Sequence, residues 1–196
     1  MVAGLVLAGG RSRRFGSDKR FYKIDGKTLI QIACEKIAAL CPENYLVVDK
    51  HFDIKHINIQ GINIIRDVEE YKGPLVGIYS ALLQVQSEGC MVIPVDMPHL
   101  TMPLLEYIKN KAKRSDLIVL YDNEYLPLPG FYSYSLLPLM KSSLDKKDYS
   151  LRSLVRIAEG IDKLRVLKLN LRVIRKFGKP EKILFNINSV NDIVEK

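Results

Sequence analysis

Short, unbroken apolar runs alternate along this chain with longer stretches whose apolar residues recur at helical spacing, and few folds accommodate that alternation. Residues 2–7 run straight into a Gly-Gly turn and are too few for a buried helix, so they read as a strand. Residues 45–48, 62–65, 91–95 and 117–121 read the same way. Between them, residues 28–40, 75–85 and 103–112 carry the helical period, with Thr28 as an N-cap and Pro103 in a first turn. Residues 125–131, interrupted by Pro127 and Pro129, read as an irregular edge segment. Residues 136–144 and 150–158 read as further helices, 164–169 and 183–185 as late strands, and 189–196 as a closing helix. Strands that are apolar throughout and separated by amphipathic helices predict a mostly parallel sheet covered on both faces, an α/β fold. With no internal repeat and no long linker, residues 1–196 read as one domain.

Composition narrows the function classes. Hydrophobic residues make up 47% of the chain and charged residues 27%, which excludes disordered and fibrous classes. No window reaches the ~18 uncharged apolar residues of a membrane span. The opening MVAGLVLAGG lacks a basic stretch before its apolar run, so it does not read as a signal peptide; a soluble, cytoplasmic protein is expected. Cys34, Cys41 and Cys90 form no C-x-x-C pair, and Cys34 and Cys90 read as small buried hydrophobes. His51, His56 and His99 do not make a metal set. The formal charge of +8 suggests an anionic partner without specifying it. Basic residues crowd two segments, Arg11 to Lys23 and residues 163–182.

In open parallel sheets, ligands bind beyond the carboxyl ends of the strands, and the distinctive residues fall there. The first strand ends in Leu7-Ala8-Gly9-Gly10 and leads through Arg11, Arg13, Arg14 and Gly16 to Lys19. Glycines at 9, 10 and 16 let backbone N–H groups approach an anion, while the arginines and Lys19 can neutralise a polyphosphate. Neither a P-loop nor a G-x-G-x-x-G fingerprint is present. The strand at 91–95 delivers Asp96, with Pro98 forcing an extended path behind it. Beside a triphosphate, the natural task of such a carboxylate is to hold Mg²⁺, which takes few protein oxygens. Asp67, after the strand at 62–65, suits either a nucleotide contact or a structural salt bridge. Gly73-Pro74-Leu75 marks a tight turn into a helix.

Leu7-Ala8-Gly9-Gly10, Arg14-Phe15-Gly16, Asp18-Lys19, Gly73-Pro74-Leu75, Asp96-Met97-Pro98 and Asn186-Ile187-Asn188 occur in this order. Together they resemble the molybdenum cofactor guanylyltransferases of the MobA type, over nearly the whole chain. The resemblance implies a three-layer α/β/α, Rossmann-like nucleotidyltransferase with a nucleotide-binding part at about residues 1–100 and an acceptor-binding part at about 101–196. It implies GMP transfer from Mg-GTP to molybdopterin, with Mg²⁺ as cofactor and with molybdopterin-supplying proteins or molybdoenzymes as transient partners of a monomer or small homo-oligomer. Leu7, Ala8, Gly9, Gly10, Lys19, Asp67 and Asp96 would bind the nucleotide, Asp96 would hold the metal, and Asn186 and Asn188 would lie near the acceptor. Three departures stand out: Phe15 where Met is frequent, Asp49 where an Asn contacting the nucleotide is common, and Val190 in place of a Pro.

The expected chemistry is in-line attack of the acceptor's phosphate on the α-phosphorus, with Lys19, Arg14 and Asp96 as catalytic residues that align the reactants and neutralise charge. The alternatives are a cytidylyl-transferring relative, a cobinamide-phosphate guanylyltransferase or a sugar-phosphate enzyme. Gly9-Gly10, rather than Ala-Gly, favours GTP. A basic nucleic-acid-binding module is the rival from another class, but no zinc finger, RNP-like motif or helix-turn-helix supports it and no nucleic acid is expected as a partner.

Overall fold

The computed structural model describes residues 1–9, 18–50, 52, 59–66, 73–188 and 192. In chain order the elements are β1 (Ala3–Leu7), a 3₁₀ turn (Lys19–Phe21), β2 (Lys23–Ile24), β3 (Lys27–Thr28), α1 (Leu29–Leu40), β4 (Asn44–Val48) and β5 (Asn63–Arg66). There follow α2 (Pro74–Leu82), β6 (Gly89–Pro94), α3 (Met102–Ala112), β7 (Leu117–Asp122), β8 (Glu124–Ser133), α4 (Leu137–Asp145) and α5 (Leu151–Glu159). The chain then forms β9 (Val166–Asn170), α6 (Leu171–Ile174) and α7 (Pro180–Ile183).

Seven strands make one sheet in the order β5-β4-β1-β6-β8-β7-β9. β1 lies inside the sheet between β4 and β6 with every residue buried, Leu5 facing Tyr45 on one side and Val92 on the other. Alternation along β1 sends Val6 into an apolar layer with α1 and α3, and Ala3, Leu5 and Leu7 into a second layer with α2, α4 and α5. Both faces are therefore covered, which is why the strands read as uninterrupted apolar runs. Gly4 permits the closest approach on the first face: a Cβ there would sit 2.5 Å from Ile37 Cγ2 of α1 and from Asn44 Oδ1. α1 opens on the predicted cap, where Thr28 Oγ1 accepts from Gln31 N–H and Gln31 Oε1 accepts from Thr28 N–H.

Two readings of the second half are corrected. Residues 125–131 are not an irregular edge: they belong to the ten-residue β8, inserted antiparallel between β6 and β7. The prolines are tolerated because the ladder to β6 runs from Gly130 to Ser133 only, and the ladder to β7 shifts register between Ile118 and Leu120. Pro127 and Pro129 sit in that shift, where no N–H is required. Residues 183–185 do not form a strand either, since Pro180 occupies the first turn of α7 and sets the local chain helical. The predicted helix at 189–196 falls almost wholly outside the described residues. The sequence reading also missed the β2–β3 hairpin, whose Asp25-Gly26 turn places both central residues at positive φ.

Because β8 is antiparallel to both β6 and β7, those two run in the same direction, and β9 runs parallel to β7. The carboxyl ends of β1, β4, β5, β6, β7 and β9 thus share one rim of the sheet. No helix among the described residues is long and apolar enough to cross a membrane.

Cys34, Cys41 and Cys90 are all buried, and burial pushes their thiols up to about 12, about 11 and about 12. A thiol-specific disulfide reagent at neutral pH is therefore expected to titrate no cysteine of the native protein and all of them in denaturant. Rapid modification without denaturant would contradict this packing.

Candidate functional site

β1 presents its end to the rim through two crossed backbone bonds: Ala8 N–H donates to Val47 O at 2.9 Å and Val95 N–H donates to Leu7 O at 3.1 Å. Leu7 and Ala8 are buried and Gly9 is half-buried at the edge. Gly10, Arg14 and Asp67 lie outside the described residues. The Asp18 carboxylate caps the 3₁₀ turn that carries Lys19.

Lys19 and Asp96 meet. The Lys19 ammonium donates to Asp96 Oδ2 at 2.7 Å and to the Ile187 carbonyl at 3.2 Å, with both charged side chains less than one-fifth exposed. A third segment joins them, since Ile187 N–H donates to the Asp96 carbonyl at 2.9 Å. With its amide nitrogen turned toward the carboxylate, the orientation that satisfies both groups, Asn186 donates to Asp96 Oδ1 at 2.7 Å. Asn186 is thus brought onto Asp96 itself. Asn188 is exposed two residues on, its N–H donating to Asp192 Oδ2 at 2.8 Å.

Asp96 accepts one strong bond on each oxygen and keeps lone pairs on both. No group of three His, Cys, Asp or Glu able to enclose a metal occurs among the described residues. A donor set of this kind does not suit an all-protein cage. It suits a small hard cation that takes most of its ligands from phosphates and water.

Two further cations fix this end of the molecule, and the sequence reading assigned neither a role. Lys36 reaches from α1 across the segment behind Asp96, donating to the Pro98 carbonyl and to the Leu100 carbonyl at 2.7 Å. Burial lowers its ammonium below the ordinary lysine value. Arg20 is almost fully buried and forks onto Asp18 with bonds of 2.7 and 2.5 Å. It also donates to the Ala8 carbonyl at 2.6 Å and reaches Asp49 Oδ2 at 3.2 Å. Sequence patterning identifies neither, because nothing local distinguishes a lysine aimed at a rim from a neighbouring arginine folded beneath it.

Farther along the rim, a recess of about 270 Å³ lies between the ends of β7 and β9, lined by Tyr121, Asp122, Asn123, Asn170, Leu171 and Arg172. Of the second basic group, Arg165 is paired with Asp116 and Lys168 with Glu159, at 2.9 and 2.7 Å. Arg172 is the member that lines the recess.

Residues 4–164 match the model of the MobA-like NTP transferase domain. The chain belongs to that family. A relative from Thermococcus sibiricus, named a probable molybdenum cofactor guanylyltransferase, is 31% identical over 98% of this chain and 95% of its own. One of the same name from Geobacillus is 32% identical over 79% of this chain and 82% of its own. The crystal structure of molybdopterin-guanine dinucleotide biosynthesis protein A from Archaeoglobus fulgidus superposes with a TM-score of 0.78 at 24% identity, covering 98% of this chain and 95% of that one. The three-layer, mostly parallel nucleotidyltransferase architecture expected from the sequence is therefore the one this chain adopts.

Replacing Lys36 by Met should lower the unfolding free energy by about 1–3 kcal/mol, because two inward carbonyls lose their donor. Denaturant unfolding checks this. Lys36→Arg should retain part of the stability, and an unchanged midpoint for Lys36→Met would mean that the tether carries no weight.

Proposed function

We propose that this protein transfers GMP from Mg-GTP to the terminal phosphate of molybdopterin, forming the guanine dinucleotide cofactor and releasing pyrophosphate. The observation that carries the reading is the Lys19–Asp96 pair at the mouth of β1, in a chain of the MobA-like NTP transferase family. Residues up to about 100 form the nucleotide side, and those from about 101 onward form the acceptor side.

An acceptor phosphate oxygen attacks the α-phosphorus, the bond from that phosphorus to the bridging oxygen breaks, and pyrophosphate leaves. A phosphate monoester is already anionic at neutral pH, so no strong general base is needed. The chain's work is alignment and charge neutralisation. Asp96 would hold Mg²⁺, which when bound screens charge across the phosphate oxygens. Lys19 shifts a donor from Asp96 toward the phosphates, and Asn186 keeps the Asp96 carboxylate oriented while it does so. The half-buried Gly9 at the end of β1 receives the nucleotide, together with Leu7, Ala8, Gly10, Arg14 and Asp67. Arg172 in the recess between β7 and β9 offers a cation to an anionic acceptor, and Asn188 is a further contact proposed for the acceptor. The cytoplasm, where GTP and magnesium are abundant, is the proposed site of action.

Pyrophosphate release, followed with purified protein, Mg-GTP and molybdopterin, tests the reading. Lys19→Ala should reduce kcat by ~10²-fold or more, and Asp96→Ala should abolish magnesium-dependent turnover. Near-normal rates in either variant would remove that residue from the mechanism. In a thermal-shift panel of GTP, CTP, ATP and UTP with Mg²⁺, GTP should raise the melting temperature most. A preference for CTP would replace guanylyl transfer by cytidylyl transfer.

A further inference from the structure

One buried guanidinium gathers three pieces of chain that meet at the nucleotide side of the rim. The Arg20 residue is 7% exposed, yet its charge touches two carboxylates and a carbonyl. Asp18 belongs to the turn that presents Lys19, Asp49 follows β4, and the Ala8 carbonyl ends β1. The face of the guanidinium lies 3.9 Å from the centroid of Phe52, which is itself stacked on Phe21 at 6.0 Å. With its donors directed at these groups and almost no surface open to solvent, Arg20 is not placed to grip a ligand phosphate.

The charges explain what it does instead. Asp18, Asp49 and Asp96 bring three carboxylates to one end of the sheet, where a strongly anionic nucleotide would have to approach. Lys19 faces Asp96, and Arg20 faces the other two. Removing Arg20 takes a full positive charge from between Asp18 and Asp49, in a half-buried setting where screening is weak. It also frees the Ala8 carbonyl beside the backbone that would meet the phosphates. Asp49 is the position at which the resemblance leads one to expect a neutral asparagine. An aspartate there needs a cation beneath it, and Arg20 is within 3.2 Å.

We propose that Arg20 is a positioning residue for nucleotide binding: it offsets the charge of Asp49 and Asp18 and holds the Ala8 carbonyl, so that this rim accepts a polyphosphate despite an aspartate at position 49. The inference rests on the nucleotidyl-transfer reading above. It adds a charge-coupled pair, Arg20 with Asp49, beneath the nucleotide rather than against it.

Mg-GTP affinity by calorimetry, with kcat and KM for GTP, tests the proposal in the full chain. Arg20→Met keeps an unbranched aliphatic side chain and removes the charge. It should weaken Mg-GTP binding about tenfold and raise KM to match, with kcat at saturating nucleotide within about threefold of wild type. The deficit should shrink as ionic strength rises. Adding Asp49→Asn to Arg20→Met should recover at least about threefold of the lost affinity, and Arg20→Lys should fall between wild type and Arg20→Met. Affinity within about twofold of wild type in Arg20→Met, or the same deficit with and without Asp49→Asn, would overturn the proposal. A collapse of kcat at unchanged KM would also overturn it. If Arg20→Met does not fold, Asp49→Asn alone decides: it should bind Mg-GTP at least as tightly as wild type, and binding about tenfold weaker would overturn the charge argument. Wild-type protein that binds no Mg-GTP would bring down the nucleotide reading and this proposal together, whereas wild-type binding without the double-variant recovery would bring down this proposal alone.

Discussion

The turn that follows β1 and the segment that follows β6 are separated by 77 residues, yet a 2.7 Å charge-assisted hydrogen bond between Lys19 and Asp96 joins them. Everything at the candidate site is arranged around that contact. The parallel pairing of β1 with β6 brings the two strand ends level, and the backbone bond from Val95 to Leu7 holds them there. Lys36 ties the chain behind Asp96 to α1, and Asn186 and Ile187 close over it from the far end of the sequence. Charged side chains so little exposed are stable only when every partner is in place.

The fold was legible because a parallel sheet covered on both faces leaves a strong mark: strands without polar alternation, each followed by an amphipathic helix. The strands at the centre, β1, β4 and β6, match the apolar runs within a residue or two, and Thr28 announces α1 through its cap. The second half was less legible for a physical reason. In β8 the two prolines imitate an edge, and only the register shift against β7 shows how an interior strand accommodates them. The short apolar stretch at 183–185 carries too few residues to reveal its period, and Pro180 decided the matter.

At the site, sequence patterning located the residues that stand at strand ends, because such positions follow from where an apolar run stops. Asp96 and the Ala8–Gly9 corner stand at such positions, whereas Lys19 was singled out by the basic, glycine-containing segment that follows the first strand. It did not find Lys36 or the buried position of Arg20, since each acts on backbone or charge contributed by a different element. Asn186 was singled out by its resemblance to a family motif, but its direct bond to Asp96 depends on the tertiary path of the last described segment.

The antiparallel insertion of β8 has a geometric consequence for chemistry at the rim. Its hairpin with β7, turning through Asn123 at φ 54°, rises between the bay at Asp96 and the bay at Arg172. Sheet spacing sets the two bays roughly 14 Å apart, three strand separations. The ladder itself fixes the separation of groups placed in the two bays. The same partition makes the two bays separable during divergence: residues along β9 and the β7–β8 turn can change while the Lys19–Asp96 corner stays untouched.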